Sequence, residues 1–133
     1  DAGKCEEAVA SYDKAIEIKP EFADVWKSKG EALRVLKKYE EAVTSYDKAI
    51  EIDSWDADTW RKKAFALLQL KKYDDAIVCY DKAIKIDPND ATAWKGMRII
   101  LKKNRIKFFS NSVNQGYEKS LIDGFKFILE NEE

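Results

Sequence analysis

The chain has 133 residues, 45% hydrophobic and 12% aromatic, with 24 basic and 25 acidic groups and a formal charge of −1. Such a composition can bury a continuous core, and no apolar run reaches the roughly 18 residues of a helical membrane span. With no histidine and only Cys5 and Cys79 as thiols, the chain offers neither an imidazole relay nor the usual four-ligand zinc set, which argues against an enzyme or a metalloprotein.

Residues 1–22 open on DAGKCEEAVA, which lacks the basic-then-apolar layout of a secretory signal. Ala8, Tyr12 and Ala15 then form a helical stripe, and Pro20 follows its end. Within this stretch lies the pentapeptide YDKAI at Tyr12–Ile16, which returns at Tyr46–Ile50 and Tyr80–Ile84 in two steps of 34 residues. A fixed period of that size means a stack of copies of one unit, whose activity resides on a shared surface rather than in an enclosed pocket.

From Ala23 toward Tyr39, Trp26, Gly30 and Leu33 mark one face of a first-type helix. From Glu40 to Ile52, Ala42, Tyr46 and Ala49, with Val43 and Ile50, mark a second. The layout repeats one period on with Trp60, Ala64 and Leu67, then Ala76, Tyr80 and Ala83. The small residues let paired helices approach while the rings fill the gaps, so these aromatics read as packing. Asp56 and Asp90 are expected to cap the following helices. Lys37–Lys38 and Lys71–Lys72 are expected in the last turns, complementing the carbonyl ends. The acidic pairs Glu6–Glu7, Glu40–Glu41 and Asp74–Asp75 are expected in first turns of second-type helices, where structural duty explains them without carboxylate catalysis.

Residues 91–103 read as another first-type helix with Trp94 and Leu101, but Arg98 takes the small position, and the regular pattern ends by about Asn104. In residues 104–133 an apolar cluster precedes a polar loop with Asn111, Asn114 and Gly116. A last helical face follows on Tyr117, Leu121, Phe125 and Ile128. A capping helix is the favoured reading, since an array needs its open end covered. The start of another domain, or a segment docked in a groove, are the rivals.

Trp, a small residue, a large apolar residue, then Ala, aromatic, Ala and Pro, in order over 34 residues, resembles the tetratricopeptide repeat. The match falls on Trp26, Gly30, Leu33, Ala42, Tyr46 and Ala49 in residues 23–56, with Ser54 replacing the final proline. In residues 57–90 it falls on Trp60, Ala64, Leu67, Ala76, Tyr80, Ala83 and Pro88. Lys29 and Lys63 depart from the apolar residue usual before the small position, which suggests a wetter side. The resemblance implies an all-α, right-handed solenoid. Residues 1–22 would be the second helix of a truncated repeat, its partner missing or upstream of Asp1.

In that family first-type helices line a concave groove that receives a partner. Carried over, the groove positions are Asp24, Lys27, Glu31 and Arg34, then Asp58, Arg61, Phe65 and Leu68, then Thr92, Lys95 and Ile99. Apolar side chains would anchor a protein or peptide segment, and the cations would meet its carboxylates. One subclass clamps the acidic C-terminus of heat-shock chaperones. Here Lys27 matches its opening lysine, but Glu31, Lys62, Thr92 and Gly96 hold the other offsets, so that ligand is disfavoured.

Charge drifts along the chain, from 3 basic against 6 acidic groups in residues 1–22 to 8 against 5 in residues 91–133. Such a drift is compatible with chance in a solvated surface; self-association through the truncated repeat, by its open face around Tyr12 and Ile16, or through the C-terminal segment is the first alternative. Nucleic-acid binding through Lys102, Lys103, Arg105 and Lys107 beside Phe108 and Phe109 is a lesser one. No cofactor is implied. Cys79 stands where the other copies have Ser11 and Ser45, so both cysteines read as plain thiols in a reducing, cytoplasmic setting.

Overall fold

The computed structural model describes residues 2–114, with side chains through residue 103. Its helices are α1 (Ala2–Ile18), α2 (Ala23–Val35), α3 (Tyr39–Ile52), α4 (Ala57–Gln69), α5 (Tyr73–Ile86) and α6 (Ala91–Asn114), and no strand occurs among the described residues. Neighbours pack as antiparallel hairpins, α2 with α3 and α4 with α5, each also resting on the helix before it. The chain is an all-α solenoid.

The helix starts follow from local chemistry. Asp56 sits in extended backbone, and its Oδ1 accepts from the Asp58 amide at 3.1 Å. Asp90 Oδ1 accepts from the amides of Thr92 and Ala93, both at 3.1 Å. Each carboxylate satisfies donors that the first helical turn leaves open. Glu40–Glu41 and Asp74–Asp75 occupy first turns as expected. Glu6–Glu7 do not, because α1 already begins at Ala2 and places them in its interior.

The helix ends correct another expectation. Lys37 and Lys71 lie past the last turns, both with φ 61°. The Lys38 amide reaches back to the Leu33 carbonyl and the Lys37 amide to Arg34, each at 2.9 Å, and Lys72 and Lys71 repeat this on Leu67 and Leu68. The paired bonds close the helix through a left-handed residue, a place glycine usually takes. The lysine pairs thus form the hairpin turns themselves.

A second device recurs between units. Indole Nε1 of Trp26, Trp60 and Trp94 donates to the carbonyls of Pro20, Ser54 and Pro88, at 2.8, 2.9 and 2.9 Å. Because the acceptor is a backbone oxygen, Ser54 replaces proline without losing the bond.

Tyr46 and Tyr80, 0% and 2% exposed, are central to the packing. Tyr46 lies flat on Gly30, where a Cβ would stand 2.5 Å from its ring. Tyr80 reaches into the next unit and covers Gly96, where a Cβ would stand 2.3 Å away. Around Tyr80 a continuous core links α4, α5 and α6 through Leu67, Ile77, Ile84, Met97 and Ile100. Lys29 and Lys63, the departures from the usual apolar residue, each cross to the preceding second-type helix. They pair with Asp13 at 2.6 Å and Asp47 at 2.5 Å while lying near the Trp26 and Trp60 rings.

The final helix differs from expectation. α6 continues through Asn114, so Asn111 and Asn114 are helical where a loop was expected, and residues 97–115 contain no glycine or proline to stop it. The capping face on Tyr117, Leu121, Phe125 and Ile128 lies outside the described residues. So do the side chains of Arg105, Lys107, Phe108 and Phe109.

Candidate functional site

Among the described residues the first-type helices touch one another, α2 with α4 and α4 with α6, whereas α1, α3 and α5 make no such mutual contacts. A stack whose alternate helices meet only along one edge curves toward that edge. The face built by α2, α4 and α6 is therefore the concave one.

Its two halves differ in charge state. On α2 and the start of α4, every expected cation is already engaged. Lys27 Nζ is 2.9 Å from both Asp56 and Asp58. Arg34 bonds Glu31, and Lys62 bridges Glu31 at 3.5 Å and Asp58 at 3.3 Å. Arg61 pairs with Asp58 and places Nε 3.1 Å from Asp90. The Tyr46 hydroxyl completes the network by donating to Glu31 at 3.2 Å.

This lattice shifts its own protonation. The Arg34 hydrogen bond, opposed by partial burial and helped by the Lys62 charge, holds the Glu31 carboxyl below its ordinary value. Partial burial works against charge on Asp56 and Asp58, yet hydrogen bonds from Lys27, with Thr59 at Asp56 and Lys62 beside Asp58, hold both low. Burial opposes the Lys27 cation too, and its two aspartates outweigh that and raise it. All these side chains are fixed in their charged forms at neutral pH.

Beyond Phe65 the character changes. The Arg34 guanidinium lies 5.8 Å from the Phe65 ring, and on the other side opens a cavity of about 420 Å³ between α4 and α6. Phe65, Leu68 and Ile99 supply its apolar wall, and Lys71, Lys95 and Lys103 its charge, with no carboxylate among the lining residues. Phe65 and Ile99 are 37% and 38% exposed, and Leu68 is half-buried against the core. Lys95 and Lys71 make no ion pair among the described residues, and Lys103 lies 5.9 Å from the Tyr73 ring. A further cavity of about 530 Å³ lies between α1 and α2, lined by Cys5, Ala8, Tyr12, Lys27 and Glu31 among others.

Of the eleven expected groove residues, the structure gathers Lys27, Glu31, Arg34, Asp58 and Arg61 in the ion-pair network and Phe65, Leu68, Thr92, Lys95 and Ile99 around the cavity, while Asp24 lines the cavity between α1 and α2. Sequence reasoning placed Asp58 on the groove face but not its pairing with Arg61 and Lys62, for which the i+3 and i+4 spacing was the available signal. It also missed Lys71, which reaches the cavity from the left-handed turn, and Lys103, one face down α6 from Lys95 and Ile99.

The Cys79 thiol is buried, which pushes it up to about 11 against the opposing charge of Lys63. A thiol held protonated is a poor nucleophile. No group of three or more acidic or cysteine side chains among the described residues is arranged to hold a metal ion. No helix among them is long and apolar enough to cross a membrane.

A family model described as the tetratricopeptide repeat matches residues 23–56 and 57–90, and one described as the TPR repeat matches residues 1–34. No curated protein matches the chain in sequence. Among solved structures, the chain is similar to the Arabidopsis OM64 TPR domain at 22% identity, covering 75% of this chain and 83% of that one, with a TM-score of 0.72. It is similar to the first TPR of Spaghetti (RPAP3) bound to the HSP90 peptide SRMEEVD, at 23% identity, 76% and 80% coverage and a TM-score of 0.74. It is also similar to MamA, at 21% identity, 95% and 67% coverage and a TM-score of 0.74. At these identities the likeness speaks for the fold.

Proposed function

The chain belongs to the tetratricopeptide repeat family, and on that premise we propose that it is a noncatalytic interaction scaffold. It receives a peptide segment of a partner protein on the face of α2, α4 and α6. The observation that carries this reading is the exposed Phe65 and Ile99, with half-buried Leu68 between them, on the concave side, apolar area a folded unit leaves uncovered where a partner anchors. That the similar RPAP3 domain is bound to an HSP90 peptide supports a peptide as the occupant. A terminal carboxylate suits this chain poorly, because Glu31 already pairs with Arg34 and Lys62, and Asp56 and Asp58 hold Lys27. Two free thiols, one of them buried, fit a reducing compartment such as the cytoplasm.

Panning a random peptide display library on the folded chain, followed by amide chemical-shift mapping of the selected peptides, tests the reading. Shifts on α2, α4 and α6 are expected, weakened in an Arg61→Glu, Lys95→Glu variant. Peptides that map to α3 and α5 instead would refute it.

A second reading, self-association, rests on α1. This helix buries none of its residues, and Ala8, Tyr12 and Ala15 are half-exposed where Ala42, Tyr46 and Ala49 in α3 are buried. A strict monomer by light scattering at high concentration would exclude it.

A further inference from the structure

Resting on the groove reading above, we infer that the cavity between α4 and α6 selects an internal, extended segment. That segment carries one large apolar side chain between two carboxylates, in the pattern acid, any, apolar, any, acid.

Charge gives the first part of the argument. Among the described residues the cavity is lined by Lys71, Lys95 and Lys103 and by no acidic side chain, whereas the neighbouring half of the groove has matched every cation with a carboxylate of its own. An incoming acidic peptide finds uncompensated positive charge only past Phe65. Complementarity of this sort steers encounter and fixes register.

Spacing gives the second. Lys95, Ile99 and Lys103 follow at i, i+4 and i+8 along α6, so they share one face. At about 1.5 Å rise per residue the two lysines stand about 12 Å apart with the isoleucine midway. An extended peptide advances about 3.3 Å per residue, and its alternate side chains point the same way. Five residues therefore present positions one, three and five to that face over about 13 Å. Acids at the ends meet Lys95 and Lys103, and the central apolar residue enters between Ile99, Leu68 and Phe65. Lys71 stands at the rim to take either carboxylate. The aliphatic wall of Leu68 and Ile99 favours an apolar side chain over a stacked base.

Because both anchors are side-chain carboxylates, a chain terminus is not required. The probe is a fluorescent, N-acetylated and C-amidated nonapeptide with the core Glu-Ser-Leu-Ser-Glu, read by anisotropy at low salt. Binding is expected to fall at least about tenfold when the central Leu becomes Ala, when both Glu become Gln, or when the acids are moved next to the Leu. In the protein, Lys95→Glu and Ile99→Ser, both at exposed positions, are expected to weaken it equally. Lys82→Glu on the exposed side of α5 should have no effect.

Amide shifts should centre on α6 and the second half of α4. Shifts confined to α2, insensitivity to Lys95→Glu, or tighter binding of the probe with a free C-terminus would overturn the inference and leave the groove reading standing. So would stronger binding by oligouridine at the same amides. Failure of every library peptide to reach the concave face would instead remove the groove reading itself.

Discussion

Gly30 is the position where a single methyl group separates two opposing effects. Replacing glycine by alanine inside a helix ordinarily stabilises it by about 1 kcal/mol. Here the new Cβ would stand 2.5 Å from Tyr46 Cε1 and 2.7 Å from Cδ1, about 1 Å inside the usual carbon contact distance. The ring has nowhere to go, because Tyr46 is 0% exposed and is held by Ala42 and Leu33. Overpacking of this kind costs about 1–3 kcal/mol, so Gly30→Ala is expected to destabilise by about 1 kcal/mol after the helical gain is subtracted. For a chain of this size that lowers Tm by about 3–5 °C, read from far-ultraviolet circular dichroism. In a Tyr46→Leu background the clash is gone, and Gly30→Ala should become neutral or stabilising. A double-mutant cycle showing simple additivity would refute the argument. The corresponding residue one unit on is Ala64, itself fully buried. Ala64→Gly should destabilise by about 1 kcal/mol, so the same repeat position has opposite optima in two adjacent units.

Lys37→Gly and Lys71→Gly should each stabilise by about 0.5–1 kcal/mol, since both lysines hold φ 61° and glycine relieves that conformation; alanine at either site should give no gain in thermal melts. Glu31, Asp56 and Asp58 are held below their ordinary values of 4.5, 3.8 and 3.8. Their stabilisation is therefore complete above those values and lost as pH falls below them. Glu31→Gln should flatten the acid limb of a Tm against pH curve, and an unchanged limb would remove Glu31 from the network. Cys79 should resist maleimide under native conditions while half-exposed Cys5 reacts, with both labelled after denaturation, as mass spectrometry would show.

Much of the fold was legible because the residues that determine packing are few and periodic. Trp26, Trp60 and Trp94 announce each first-type helix, and Asp56 and Asp90 mark its start through a short-range carboxylate effect. The lysine turns were misplaced because their closure depends on a left-handed φ, which composition does not reveal when glycine is absent. The end of α6 was not legible because a polar stretch such as that around Asn111 and Asn114 suits a loop and a helix alike, and between Gly96 and Gly116 there is no proline or glycine to decide it. At the site, the residues facing the groove followed from repeat position, but their charge state did not. Whether Lys27 is available or spent depends on Asp56 and Asp58, residues 29 and 31 positions away, brought beside it only by stacking.

The uneven contact between helices has a mechanical side. Each hairpin is broadly fastened, whereas consecutive first-type helices meet along a narrow seam. Deformation will concentrate at those seams, so the array should behave as rigid plates on compliant hinges. Pulling its ends apart would flatten the inner wall and widen the gap between α4 and α6 before any hairpin yields.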